Sequence, residues 1–101
     1  MREQIITLMK YDNDQVDLSL VNQFFIDLIL EKFDGCTYYD GMGRWRDLTG
    51  KVYIDQIIRV HVAIDDDDIP AFRALAAEYC RAAGQKSVYV IIDGEVDFIY
   101  Q

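Results

Sequence analysis

A chain of 101 residues, 51% of them apolar, is long enough to bury a core for one domain and too hydrophobic for disorder. Its net charge of −8 repels phosphate backbones, which disfavours direct nucleic-acid binding. Two cysteines outside any Cys-x-x-Cys pair and a single histidine exclude a zinc site made of those residues alone, and the lack of a membrane span or signal peptide predicts a cytoplasmic, or at least reducing, setting.

Met1 to Gln4 leads into only a short apolar run, so no signal peptide is expected. Gln4 to Tyr11 sets Ile5, Thr7, Met9 and Tyr11 against Ile6, Leu8 and Lys10, the alternation of a strand. Asp17 is placed to cap a helix over Leu18 to Phe33. Val21, Phe24, Phe25, Leu28 and Ile29 form its expected core stripe, with Leu20, Ile26 and Leu30 off it as surplus apolar surface. Gly35 is the expected left-handed stop.

Cys36 to Asp47 and Lys51 to Ile64 read as two strands joined by a short turn that ends in Gly50. Along the second, Val52, Ile54, Ile58, Val60, Val62 and Ile64 point one way; Tyr53, Asp55, Ile57, Arg59, His61 and Ala63 point the other. Asp65 to Asp68 precede Ile69-Pro70 and complement the start of a helix that runs to about Ala83, before Gly84. Its buried face is Phe72, Leu75, Ala76, Tyr79 and Ala83. Lys86 to Ile92 and Glu95 to Tyr100 flank Asp93-Gly94, a strong hairpin signal, with one bent strand as the competing reading.

The order strand, helix, strand, strand, helix, strand is the split βαβ pattern. The expected fold is therefore α+β, a ferredoxin-like βαββαβ sandwich with both helices on one face of an antiparallel sheet and a possible extra C-terminal hairpin strand. Residues 1–101 are read as one such domain.

From Phe33 onward the chain also resembles a small bacterial family known only as domain of unknown function three-five-seven-four. The matching words are Phe33-Asp34-Gly35-x-Thr37, Gly41-x-Gly43-Arg44-Trp45-Arg46-Asp47, Gly50 and Gln85-x-Ser87-Val88, with Tyr79 where that family has an aromatic. The chain departs from it in lacking a glycine after the first strand and in having Asp55 in place of a glutamate. The resemblance implies the ferredoxin-like fold and no activity.

The open sheet face is the candidate site. Tyr38, Asp40, Met42, Arg44 and Arg46 share one side of their strand, and Tyr53, Asp55, Arg59 and His61 share one side of the next. Turning Arg44 and Arg46 inward would bury two charges at several kcal/mol each, so they are assigned outward. Gly41, Gly43 and Trp45 are then assigned to the helices. The expected ligand- or partner-binding set is Tyr38, Arg44, Arg46, Tyr53, Asp55, Arg59 and His61, an anion- or carboxylate-binding patch with arginine forks for bidentate contacts. A plain cross-strand pairing or a dimer interface accounts for the same residues. No catalytic constellation, metal or cofactor is expected.

The leading expectation is a non-enzymatic binding or assembly module that forms a homo-oligomer, a dimer, through the open face or the first helix. The second is a small acidic inhibitor or adaptor, of the phage type, that occupies the basic surface of a protein partner. The third is a small enzyme or ligand sensor with an arginine-lined site on the sheet. No membrane partner is expected, because no segment approaches a membrane span.

Overall fold

The computed structural model describes residues 1–101. Strand β1 (Arg2–Met9) leads to helix α1 (Ser19–Phe33), then to β2 (Thr37–Arg46) and β3 (Val52–Ile64). A short 3-10 turn (Asp66–Asp68) opens into α2 (Ile69–Ala82), and β4 (Ser87–Ile92) and β5 (Glu95–Tyr100) complete the chain. All five strands form one antiparallel sheet in the order β2-β3-β1-β4-β5. The first four strands carry the ferredoxin-like arrangement, and β5 extends it as the expected extra strand.

Alternation sets the core. Ile6 and Leu8 of β1, Val60 and Val62 of β3, and Val88 and Val90 of β4 turn to one face, where they meet Phe25, Ile29, Phe72 and Leu75 of the helices. Tyr79 is fully buried among them. Its hydroxyl donates to Asn22 Oδ1 at 2.7 Å and accepts the Met9 amide at 2.9 Å, while Asn22 Nδ2 donates to the Met9 carbonyl at 2.8 Å. This network joins both helices to the end of β1 and leaves none of its buried polar atoms unpaired.

The same network sets the rotation of α1. With Asn22 turned inward, the buried face is Asn22, Phe25, Ile26 and Ile29. Phe24, expected in the core, is 62% exposed, and Ile26, expected off the stripe, is buried. The N-cap of α1 is Leu18 and not Asp17; Asp17 stands one residue earlier and accepts the Ser19 amide at 2.7 Å, which holds its carboxyl below the ordinary carboxylate range. At the other end Asp34, not Gly35, takes the left-handed conformation, with φ 66°.

Asp93 and Gly94 both have positive φ, 53° and 81°, so β4 and β5 form a true hairpin and not one bent strand. The β2–β3 hairpin reaches beyond the end of β1, because Met9 pairs with Ile57 and leaves Val52 to Gln56 without a β1 neighbour. Cys80 is buried, Cys36 is half-buried, and both are free thiols. No helix is long and apolar enough to cross a membrane.

Candidate functional site

The face without helices carries the odd-numbered residues of β1, β2, β3 and β4. Register pairs Tyr39 with Arg59, Gly43 with Asp55, and Trp45 with Tyr53, and directly paired residues share a face. Trp45, Gly41 and Gly43 therefore lie on the open face with Tyr53, Asp55, Arg59 and His61. Tyr38, Arg44 and Arg46 turn to the other side, which corrects their expected grouping with the β3 set.

The expectation rested on the cost of burying two arginines, and that cost does not arise. β2 is an edge strand whose hairpin projects past the helices, so its helix-side surface is wet: Tyr38 is 52% and Met42 69% exposed, and Arg44 and Arg46 are exposed there too. Both assignments were physically open to the arginines. Only the register chooses between them.

Trp45 and Tyr53 stack with ring centroids 4.5 Å apart and planes 13° from parallel. Trp45 Nε1 donates to Asp55 Oδ2 at 2.9 Å, which fixes the indole in its plane. The turn beneath them is tied by Asp47, whose carboxylate accepts from the Thr49 hydroxyl at 2.6 Å, the Thr49 amide at 2.8 Å and the Lys51 amide at 3.1 Å. It also accepts from the Tyr53 hydroxyl at 3.2 Å. Those bonds, the Thr49 hydroxyl foremost, hold the Asp47 carboxyl below the ordinary range. Local turn chemistry thus reaches directly to the aromatic pair.

Toward the sheet centre, Arg59 Nη1 donates to Thr7 Oγ1 at 2.8 Å, and its guanidinium carbon lies 5.2 Å from the centroid of the Tyr89 ring. Phe98 of β5 meets Tyr89 edge-on at 5.5 Å. These groups line one groove of about 940 Å³ between the overhanging hairpin and the end of the sheet. Met9 and Ile57 lie within its apolar lining, Arg44 borders it from the helix side of β2, and Lys86 borders it just ahead of β4. Three cations and one carboxylate thus line a groove in a strongly acidic protein. Gly43 leaves space there: a Cβ added to it would meet nothing within 4 Å.

His61 lies further along β3 in a hydrogen-bonded chain. Its Nδ1 is 2.7 Å from Glu3 Oε1, and its Nε2 is 2.7 Å from the Tyr39 hydroxyl. With Glu3 ionised, Nδ1 donates, so the neutral ring accepts from Tyr39 through Nε2. A second cavity of about 530 Å³ adjoins this chain and is lined also by Phe33, Cys36 and Ala63. Burial pushes the Cys36 thiol up, away from thiolate character. No group of three or more His, Cys, Asp or Glu side chains converges on one point.

The structure therefore gathers four of the seven expected site residues, Tyr53, Asp55, Arg59 and His61, on one face. It adds Trp45, Tyr39, Thr7, Glu3 and Tyr89, which the sequence did not single out. The sequence reading turns Trp45 toward the helices with Gly41 and Gly43, and its pairing with Tyr53 puts it on the open face instead. Glu3 and Tyr39 are brought to His61 by strands distant in sequence, and no local signal announces such a meeting.

Two solved structures of a phage SAM lyase share this fold. The lyase in complex with S-methyl-5'-thioadenosine aligns with a TM-score of 0.71 at 15% identity, over 98% of this chain and 88% of its own. The apo lyase gives 0.70 at 18% identity over the same shares. No family model and no curated protein matches the chain by sequence. The resemblance to the family of unknown function is thus matched in the fold it implied and gains nothing from a family model. The finding that stands against a non-enzymatic assembly module is this likeness: the fold that the chain shares over nearly its whole length is one that a phage SAM lyase has.

Proposed function

We propose that this protein is a small-molecule enzyme that binds S-adenosylmethionine in the open-face groove and cleaves it to S-methyl-5'-thioadenosine. The carrying observation is the Trp45–Tyr53 stack braced on Asp55 at one end of a largely apolar groove. A flat aromatic pair suits a purine, and aromatic faces with a carboxylate beside them suit a diffuse sulfonium cation. The fold shared with the phage SAM lyase supports the same reading. Of the earlier expectations this favours the third, an enzyme on the sheet, and it moves the centre of the site from the β2 arginines to Trp45.

The chemistry asks little of the protein. A sulfonium sulfur already carries positive charge, so the electron pair of its bond to the amino-acid chain leaves with sulfur as a neutral thioether, while the carbon next to the broken bond gives up a proton and a carbon–carbon double bond forms in the amino-acid product. The groove contributes by holding the chain extended. Departure by elimination needs a base as well, and the Glu3–His61–Tyr39 chain on the same face has the groups for it.

The test is incubation of the purified protein with S-adenosylmethionine, with chromatography of the products. Loss of substrate matched by S-methyl-5'-thioadenosine, above the protein-free rate, is the expected outcome. Trp45→Ala removes a stack of about 1–3 kcal/mol, a loss of roughly 5- to 150-fold in binding. Unchanged substrate, together with no calorimetric heat from either compound, would remove the proposal.

A further inference from the structure

Of this protein's cations, Arg59 is the one that is both partly buried and without a carboxylate. Arg2 pairs with Asp66 at 3.0 Å and Asp93 at 3.3 Å, Lys10 with Asp40 at 2.9 Å, Arg73 with Asp97 at 3.1 Å, and Arg81 with Glu78. Arg44, Arg46, Lys32, Lys51 and Lys86 have no carboxylate partner either, but all are exposed and solvated. Arg59 sits half-buried on the inner strand β3, and its one hydrogen-bonding side chain is the neutral Thr7. In a chain with 18 acidic residues, none comes within ion-pair distance of it.

A guanidinium presents five N–H donors in a planar fork, and one is occupied here. Thr7 and the Tyr89 ring hold the fork in place, with Phe98 behind Tyr89. Pre-positioning of this kind lowers the ordering cost when a planar anion docks bidentately. On the same strand face, Asp55 lies four residues away, about 13 Å at the usual rise per residue. The apolar Ile57 separates the two. The groove thus has its one carboxylate beside the Trp45–Tyr53 stack, and its one half-buried, unneutralised guanidinium beside the Tyr89 ring.

We infer that Arg59 is the residue that binds the α-carboxylate of the substrate's amino-acid portion and thereby selects carboxylated sulfonium nucleosides over decarboxylated ones. The inference rests on the proposed function and adds the substrate's orientation: purine toward Trp45, amino-acid carboxylate toward Arg59. The body's negative charge acts against such a preference, since the decarboxylated compound is the more cationic ligand. A preference for the carboxylated form therefore requires a local cation.

Calorimetry on the full chain with three ligands tests this: S-adenosylmethionine, decarboxylated S-adenosylmethionine and S-methyl-5'-thioadenosine. The wild type is expected to favour the first over the second by tenfold or more. Arg59→Gln should abolish that preference, yet bind S-methyl-5'-thioadenosine, which has no carboxylate, within twofold of wild type. Arg59→Lys, with a point charge in place of the fork, should retain part of the preference. Retention of the full preference by Arg59→Gln, with the thioether still bound, overturns the inference and leaves the proposed function standing. Failure of the wild type to bind any of the three overturns both.

Discussion

Tyr79 is a side chain whose removal by one atom is costly. It is fully buried, and its hydroxyl serves the Met9 amide and the Asn22 carbonyl together. Tyr79→Phe keeps the ring's edge-on contact with Phe25 but strands both partners, at a cost of about 1–3 kcal/mol. Burial pushes the Tyr79 hydroxyl up to about 12, from an ordinary value of 10.0. The neutral form is thus favoured by folding, and the stability it carries is intact below about pH 10 and declines as pH rises toward 12. Urea unfolding at pH 8, 10 and 11.5 checks both points. Wild-type stability should fall more steeply than that of Tyr79→Phe across the upper interval, and parallel decline would refute the assignment. Tyr79 was legible in the sequence because it falls on the apolar stripe of its helix. Asn22 was not: a polar residue amid Val21, Phe24 and Phe25 reads as an interruption until its partners are known.

The β2–β3 hairpin is where sequence pattern and site diverge. Its turn, its boundaries and the inner and outer sides of β3 are visible in the alternation of Val52 to Ile64. The facing of β2 is not, because Thr37 to Arg46 mixes aromatic, charged and glycine residues on both sides and neither side is buried. Registry supplied by pairing with β3 resolves what the strand's own composition leaves open. Two glycines in this hairpin now make separable predictions. Gly50 has φ +89°, so Gly50→Ala should destabilise the fold by about 1 kcal/mol through backbone strain, read as a lower urea midpoint. Gly43 has ordinary backbone geometry and open space above it, so Gly43→Leu should fold with wild-type stability or slightly better. Its side chain projects into the groove beside Asp55, and S-methyl-5'-thioadenosine binding should fall at least tenfold. A stable Gly43→Leu protein with undiminished binding would place the ligand elsewhere.

At the scale of the whole molecule, the negative body and the cation-rich groove pull on a charged substrate in opposite directions. The molecule measures 40 × 28 × 24 Å and carries a net charge of −8. In 0.01 M salt the screening length of about 30 Å spans the protein, so an approaching ligand senses the total charge. Near 1 M salt it shrinks to about 3 Å, and only the lining, with Arg44, Arg59 and Lys86 against Asp55, acts at contact. S-adenosylmethionine, cationic overall, should therefore associate faster at low salt, by roughly three- to tenfold, which lies at the modest end of electrostatic steering. S-methyl-5'-thioadenosine is neutral and should associate at the same rate throughout. Stopped-flow quenching of Trp45, the chain's one tryptophan, reports both rates directly. A rate for the cationic ligand that instead rises with salt would mean the groove's own cations govern approach, and the acidic body would then serve solubility alone.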